Sequence, residues 1–374
     1  MPSKILPPKE RLRLLESANR DIKKNPEPIT LFYSPRSEGT PNDYFSEGDY
    51  WWPNPADPEG PYIRRDGWSN PSNFNAHRVA MYQLSRIVST LTVAYLLTGE
   101  ERYALHALKH LNTWFVAPDT RMNPHLRYAQ AIQGVASGRG IGIIDTIHLI
   151  EVARCVKLLE QYGFGEGYGI PTMKAWFASY ADWLTTHSYG WDERNNGNNH
   201  STWWVAQLAA FADVSGRDDL LQVARSEFKK NLDAQMDDRG AFPQELARTK
   251  PYNYSIFNLE GFATIAQIAS TKSDDLWNYP GKNGSLRKAW KFMIPYLRHK
   301  QTWPFPPDLQ YFDQLPVQTC GLLFAYQAYH RHAWLKTWKN LPSLRQSEEI
   351  DRVNPLRQPL LWLEYGSGLV PQFF

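Results

Sequence analysis

Cysteine is nearly absent. Cys155 and Cys320 are the only two thiols in 374 residues, too far apart for a metal framework and more consistent with buried free thiols than with a disulfide, because Cys155 lies in an apolar helical run. Charge of one sign is also lacking: 41 basic and 38 acidic residues leave a formal net charge of +3, without the overall field that nucleic-acid binders use. No unbroken apolar run is long enough to span a bilayer, and Met1 to Lys24 is charged and helical with no apolar signal region. A soluble protein with neither a nucleic-acid nor a membrane partner is expected. Gly-x-Ser-x-Gly is missing, which removes the common serine-hydrolase arrangement. His-Glu-x-x-His is missing too; His106 and His110 stand four apart on a helix but have no evident third ligand, so no metal site is predicted. Gly138-Arg139-Gly140-Ile141-Gly142 follows no strand and sits in no βαβ unit, which excludes a dinucleotide fingerprint. It reads as a tight turn bringing the backbone and Arg139 to a ligand.

What is plentiful is aromatic surface. The chain holds 15 Trp, 20 Tyr and 17 Phe, more than a core of this size requires. Flat apolar faces with polar edges suit the C–H faces and hydroxyls of sugar rings. Helical periodicity begins near His77 and recurs to about Trp338, with runs at 145–162, 171–187, 256–271, 285–299 and 318–337. Two stretches, around Gly99 and Gly216, end an apolar helix at a glycine and begin another through acidic residues, as αα-hairpins do. Successive antiparallel pairs predict an all-α protein, an (α/α) toroid or incomplete barrel, in a single domain over 1–374. A short helix is expected over 9–24. Residues 30–76, rich in Pro, Gly, Asp and aromatics, read as an irregular arm over the rim of a cleft, and 354–374, with Leu360, Leu361, Trp362, Leu363, Phe373 and Phe374, as a C-terminal clasp.

The most informative stretch runs from Trp191 to Trp204. Asn195, Asn196, Asn198, Asn199 and His200 lie between tryptophans, and so many amides would need partners if buried without a ligand. It reads as a polar floor with aromatic walls. His200 falls at the start of an apolar helix, where free N–H groups favour anions. A second polar stretch, Glu245 to Ser255, carries Arg248, whose fork grips carboxylates, and Tyr254 at a loop-to-helix junction. A third, Asn123-Pro124-His125-Leu126-Arg127-Tyr128-Ala129-Gln130, leads into the glycine-rich turn. Asp192 or Glu193 with Glu245 as partner stands as a glycosidase carboxylate pair.

Taken together, Asn198-Asn199-His200-Ser201-Thr202-Trp203, Asp49-Tyr50-Trp51-Trp52-Pro53, Asn123-Pro124-His125-Leu126 with Tyr128-Ala129-Gln130, and Glu245-Leu246-Ala247-Arg248 leading to Tyr254 resemble the alginate lyase superfamily over roughly 40–335. The Tyr-Trp-Trp-Pro arm is most similar to polysaccharide lyase family thirty-eight, associated with glucuronan and alginate. The resemblance implies a toroid, a periplasmic or secreted location, an anionic polysaccharide substrate, no cofactor, a monomer, and metal-independent β-elimination on uronic-acid polymers. It implies that Asn199, His200 and Arg248 neutralise the substrate carboxylate and that Tyr254 is base and acid, its phenol made more acidic by Arg248 and His200. Where classical members carry His-Tyr-His, this chain has Asn253-Tyr254-Ser255, which leaves Tyr252 as a rival. Trp51, Trp52 and Trp203 are expected as stacking platforms, and His125, Tyr128, Gln130, Arg139 and Asn198 as further substrate contacts. The readings left beside it are an (α/α)-toroid glycoside hydrolase using Asp192 or Glu193, and a non-catalytic protein that binds acidic oligosaccharides.

Overall fold

The computed structural model describes residues 8–343 and 347–362. Helix α1 (Pro8–Asp21) leads into the arm, which contains three short strands: β1 (Phe45–Glu47), β2 (Trp51–Trp52) and β3 (Ile63–Arg64). Then follow α2 (Ala76–Thr98), α3 (Glu101–Phe115), β4 (Tyr128–Ala131), α4 (Leu149–Gln161), α5 (Ile170–Thr186), α6 (Ser188–Arg194), α7 (Asn199–Ser215), α8 (Asp218–Gln235), α9 (Pro243–Leu246) and α10 (Pro251–Ala269). The chain closes with α11 (Leu286–Arg298), α12 (Cys320–Tyr329), α13 (His332–Asn340) and α14 (Glu348–Arg352). β1 pairs in parallel with β4, and β2 antiparallel with β3. The rest is an all-α toroid of antiparallel helix pairs.

Both expected hairpins form. Gly99 and Gly216 take left-handed conformations (φ 73° each) after α2 and α7, and their N–H groups close the last turns onto Tyr95 O and Ala212 O. A side chain at either φ would be strained, which is why glycine stands there. The run at 318–337 does not form one helix, because His330 turns left-handed (φ 52°) and splits it into α12 and α13. Helix α6, which runs into the start of the polar stretch, carries too little apolar periodicity to have been foreseen.

Two helices set the centre. α7 packs against α4, α5, α8 and α10, and α10 also against α8 and α12. Both are buried on nearly every face, as helices without a polar stripe must be. Their N-termini open on the same hollow, and each is capped by a carboxylate from elsewhere in the chain. Glu245 accepts the backbone N–H of Asn199 (2.7 Å) at the start of α7. Asp308 accepts those of Tyr252 (2.8 Å) and Asn253 (2.9 Å) in the first turn of α10. Both place negative charge at the positive end of a helix.

The C-terminal segment packs across the toroid as far as it is described. Leu360, Leu361 and Trp362 are buried, Arg154 of α4 donates to Leu361 O (2.7 Å), and Gln267 of α10 donates to Trp362 O (3.2 Å). Leu363, Phe373 and Phe374 lie outside the described residues. Cys155 and Cys320 are buried free thiols. The rings of His106 and His110 both meet the Lys24 carbonyl (2.9 and 3.3 Å).

Helix α14 ties the end of the chain to the hollow through charge. Glu349 bridges Lys250 (3.2 Å), just before α10, and Arg352 (2.8 Å). Burial pushes the Glu349 carboxyl up, but Arg352 and Lys250 outweigh it and hold it down at about 2. Its folded value lies below its unfolded value, so the stabilisation is present above the ordinary carboxylate range and is lost as pH falls toward 2. Glu349→Gln is expected to lower stability at neutral pH by roughly 3 kcal/mol. Denaturant titrations should show the gap between variant and parent narrowing below pH 4 and closing near pH 2.

Candidate active site

A cavity of about 350 Å³ lies where the N-termini of α7 and α10 meet the arm. Asn198, Asn199 and His200 enter from α7, Arg248 and Tyr254 from the α9–α10 segment, Tyr50, Trp51 and Arg64 from the arm, Gln130 and Arg139 from around β4, and Arg352 from α14. The reason for the first group is local. Asn198 caps α7, its side-chain oxygen accepting the His200 N–H (2.9 Å), and asparagine is among the best residues for that position. The cap turns the next two side chains toward the hollow.

Each functional side chain is held by a partner. Asn199 Nδ2 donates to Glu245 Oε2 (2.7 Å), and His200 Nδ1 lies 2.7 Å from Glu193 Oε1. Arg248 Nη2 donates to Tyr254 Oη (3.1 Å) and to Asp66 Oδ1 (3.0 Å), and its guanidinium stacks over the Tyr254 ring at 4.3 Å. Asp66 also accepts from Arg64 (2.7 Å) and Thr249 (3.0 Å), so the arm is fastened to the Arg248 loop. The Tyr50 hydroxyl reaches that of Tyr254 at 3.0 Å. On the far wall Arg139 donates to Gln130 O (2.9 Å) and lies over the Trp51 ring. Gln130 takes a left-handed backbone (φ 50°), and its side chain donates to Asp145 (3.1 Å).

The electrostatics favour an anion. Arg64, Arg139, Arg248, Arg352 and His200 line the hollow, while its acids, Asp49 and Asp145, are both engaged by the buried Arg78. Arg352 also reaches Asp49 (3.3 Å). Burial pushes the Arg139 guanidinium down to about 10, still charged at neutral pH. The Tyr254 hydroxyl goes the other way. Burial first, then the neighbouring Tyr50, push it well above the ordinary phenol value, and Arg248 only partly offsets them. This corrects the expectation of a phenol made more acidic.

The family model for alginate lyase matches residues 29–303. The chain belongs to the alginate lyase family. A crystal structure of an alginate lyase from Bacteroides ovatus is 32% identical and superposes with a TM-score of 0.81, covering 92% of each chain. Alginate lyase A1-III from Sphingomonas species A1 is 17% identical with a TM-score of 0.57 over 94% of both chains, a likeness of fold alone. An alginate lyase of Pseudomonas syringae pv. syringae is 31% identical over 209 residues, 55% of this chain and 51% of that one, and one of Cobetia marina is 32% identical over 119 residues, 31% of this chain and 30% of that one. The chain thus spans about half or less of the length of these curated relatives.

In this alginate lyase family member the cavity gathers Asn198, Asn199, His200, Arg248, Tyr254, Trp51, Gln130 and Arg139 from the sequence-based candidates, and leaves out the others. Trp203 is not a platform: it is 0% exposed, stacked on Phe257 at 4.9 Å and bonded to Phe257 O (3.1 Å). Trp52 lies outside the cavity, its Nε1 donating to Trp68 O (2.9 Å) and its ring under Arg65. His125 pairs with Asp43 (3.2 Å), and the Tyr128 ring packs against Gly39. The rival Tyr252 is fully buried and donates to Tyr296 O (3.0 Å). The two tryptophans that bound the amide-rich stretch do not wall the cavity, for Trp191 is exposed and Trp204 is core; its aromatic lining comes instead from Tyr50, Trp51, Tyr82, Tyr254 and Phe257. Asp192 is exposed on α6, and Glu193 and Glu245 are buried beneath the cavity rather than facing it. That removes the carboxylate pair considered for a glycosidase.

Sequence reasoning missed Tyr50, Arg64, Asp66 and Arg352. Tyr50 adjoins Trp51 and carried a readable signal; Arg352, about a hundred residues past Tyr254, carried none. Since Trp203 is core, Trp203→Ala is expected to cost roughly 3–5 kcal/mol of stability. A thermal melt should reveal it as a fold defect, with oligosaccharide affinity of the folded fraction unchanged.

Proposed function

We propose that this chain is a polysaccharide lyase that cleaves uronic-acid polymers, glucuronan or polymannuronate alginate, by β-elimination. The observation that supports it most is the meeting of an amide, an imidazole, a guanidinium and a phenol, Asn199, His200, Arg248 and Tyr254, in one cationic cavity. In the reaction the C5–H bond electrons become the C4=C5 double bond, and the C4–O bond breaks with its electrons leaving on oxygen. The C5 hydrogen is barely acidic while the neighbouring carboxylate is charged. Asn199, His200 and Arg248 donate to that carboxylate as charge flows into it, and losing one such donor typically costs roughly 10²–10³-fold in turnover.

Tyr254 takes the C5 proton and returns one to the departing oxygen. In mannuronate and glucuronate both events lie on one face of the ring, which suits a single residue. Burial and Tyr50 oppose ionisation of its phenol, so the base is the phenolate formed once its own proton has passed to solvent, and Arg248, 3.1 Å from the hydroxyl, stabilises that charge. For guluronate the proton lies on the opposite face, and His200 is the base. Trp51, Arg139, Gln130 and Asn198 contact flanking sugars, the segment 30–76 serves as the rim of a single domain, and 354–374 as its clasp. A monomer in the periplasm or outside the cell, using no metal or cofactor, completes the reading.

The test is a panel of polymannuronate, polyguluronate and glucuronan followed by ultraviolet absorbance, which reports the conjugated double bond. Absorbance with shortening of the polymer is expected. Reducing ends without absorbance would indicate hydrolysis, and bound polymer without product a binding protein. Tyr254→Phe should lose roughly 10²–10⁴-fold in rate with little change in polymer binding; full activity in that variant would remove Tyr254 from its role.

A further inference from the structure

Beneath the groups that would receive a sugar carboxylate lie two buried carboxylates. Glu193 is 0% exposed and Glu245 1%, and neither lines the cavity. Burying acids under an anion site works against binding unless each does something there. Their bonds show what. Glu245 spends both oxygens on Asn199, one on its backbone N–H and one on its side-chain amide, at 2.7 Å each. Glu193 spends Oε1 on His200 Nδ1 at 2.7 Å, and its Oε2 has no hydrogen-bond partner among the described residues. Their backbones are braced as well. Ser201 Oγ donates to Glu193 O (3.2 Å) and accepts from Gly197 N (2.7 Å), closing the turn between α6 and α7. Arg248 N donates to Glu245 O (3.2 Å), so Glu245 also sets the start of the Arg248 loop.

We infer that Glu193 and Glu245 are positioning residues that aim His200 and Asn199 at the substrate carboxylate; the inference rests on the lyase reading. An ionised carboxylate only accepts, so the bond to Glu193 places a hydrogen on His200 Nδ1 and leaves Nε2 for the sugar. Nε2 has no protein partner among the described residues. As the bare nitrogen of a neutral ring it takes a proton, and in the cationic ring it donates to the carboxylate. Glu245 likewise ties down one amide hydrogen of Asn199 and leaves the other free. Neither glutamate touches substrate; each acts through the residue it holds, as carboxylates do behind metal-bound histidines.

The test begins with the free protein, so it does not depend on any activity. In ¹⁵N-labelled full-length chain, with the His200 signal assigned by its loss in His200→Gln, Nδ1 is expected to carry a hydrogen in the neutral or the cationic ring. Glu193→Gln should populate the Nε2–H form. A bare Nδ1 in the unsubstituted protein overturns the inference even if the lyase reading stands, whereas a hydrogen on Nδ1 in a chain without lyase activity removes that reading alone. In the active enzyme, Glu193→Gln and Glu245→Gln should each lower kcat about 10–100-fold, with KM nearly unchanged. In a His200→Ala background Glu193→Gln should cost less than about twofold, the two residues acting as one unit. An equal loss in both backgrounds would mean that Glu193 merely supports the fold.

Discussion

One carboxylate fixes the relation between the two halves of the site. Glu245 bonds both the backbone and the side chain of Asn199, and in doing so locks the short α9 segment onto the N-terminus of α7. Arg248 lies two residues beyond the end of α9, and Tyr254 in the first turn of the helix that follows. Without these two bonds, the amide and imidazole on one side would no longer be registered against the guanidinium and phenol on the other. The toroid supplies the depth: α7 and α10 are buried along their length, so only their N-terminal turns reach the hollow. Asp308 does for α10 what Glu245 does for α7, and burial pushes its carboxyl up to about 6 despite the two bonds. Capping by a distant acid is thus a repeated device, and it costs the fold an incompletely compensated desolvation at each end.

A cavity meant for an anion has to keep several cations close together and aimed inward. Here most of them are tethered to carboxylates that keep their direction: Arg248 and Arg64 share Asp66, and Arg352 spans Asp49 and Glu349. Arg139 differs, for its hydrogen bonds go to Gln130 and its guanidinium lies against Trp51. The arm is part of the same arrangement. Through Asp66 and Tyr50 it touches both Arg248 and Tyr254, which links an irregular, proline-rich segment directly to the proposed chemistry. Burial strengthens the charge interactions of the groups it covers, and it is the first cause of the raised Tyr254 phenol.

The helical framework was legible because it depends on local patterns. Glycines after apolar runs gave both hairpins, and the amide-rich stretch before His200 gave the start of α7. Of the four proposed catalytic residues, Asn199 and His200 stood out by residue type in the amide-rich stretch, whereas Arg248 and Tyr254 were only suggestive by type and took their roles from the resemblance to the alginate lyase superfamily. Tryptophan was the misleading signal. Trp203 lies in the same motif as His200, but three residues along a helix that is covered on nearly every face, so helical geometry turned it into the core. Asp192 and Glu193 failed for a related reason: adjacent residues on α6 point apart, one into solvent and one under His200. Asp66 and Arg352 lay beyond reach because their partners are far away in the sequence, and only the closed toroid brings them to the cavity.

The central claim is that one sugar carboxylate is received jointly by Asn199, His200 and Arg248 beside Tyr254. A crystal structure of the Tyr254→Phe variant soaked with a short oligouronate tests it most directly. The account predicts a uronate whose carboxylate lies within hydrogen-bond distance of all three donors, with C5 and the glycosidic oxygen turned toward position 254. An oligosaccharide whose carboxylates face only Arg64 or Arg139, or one bound outside this hollow, would contradict it.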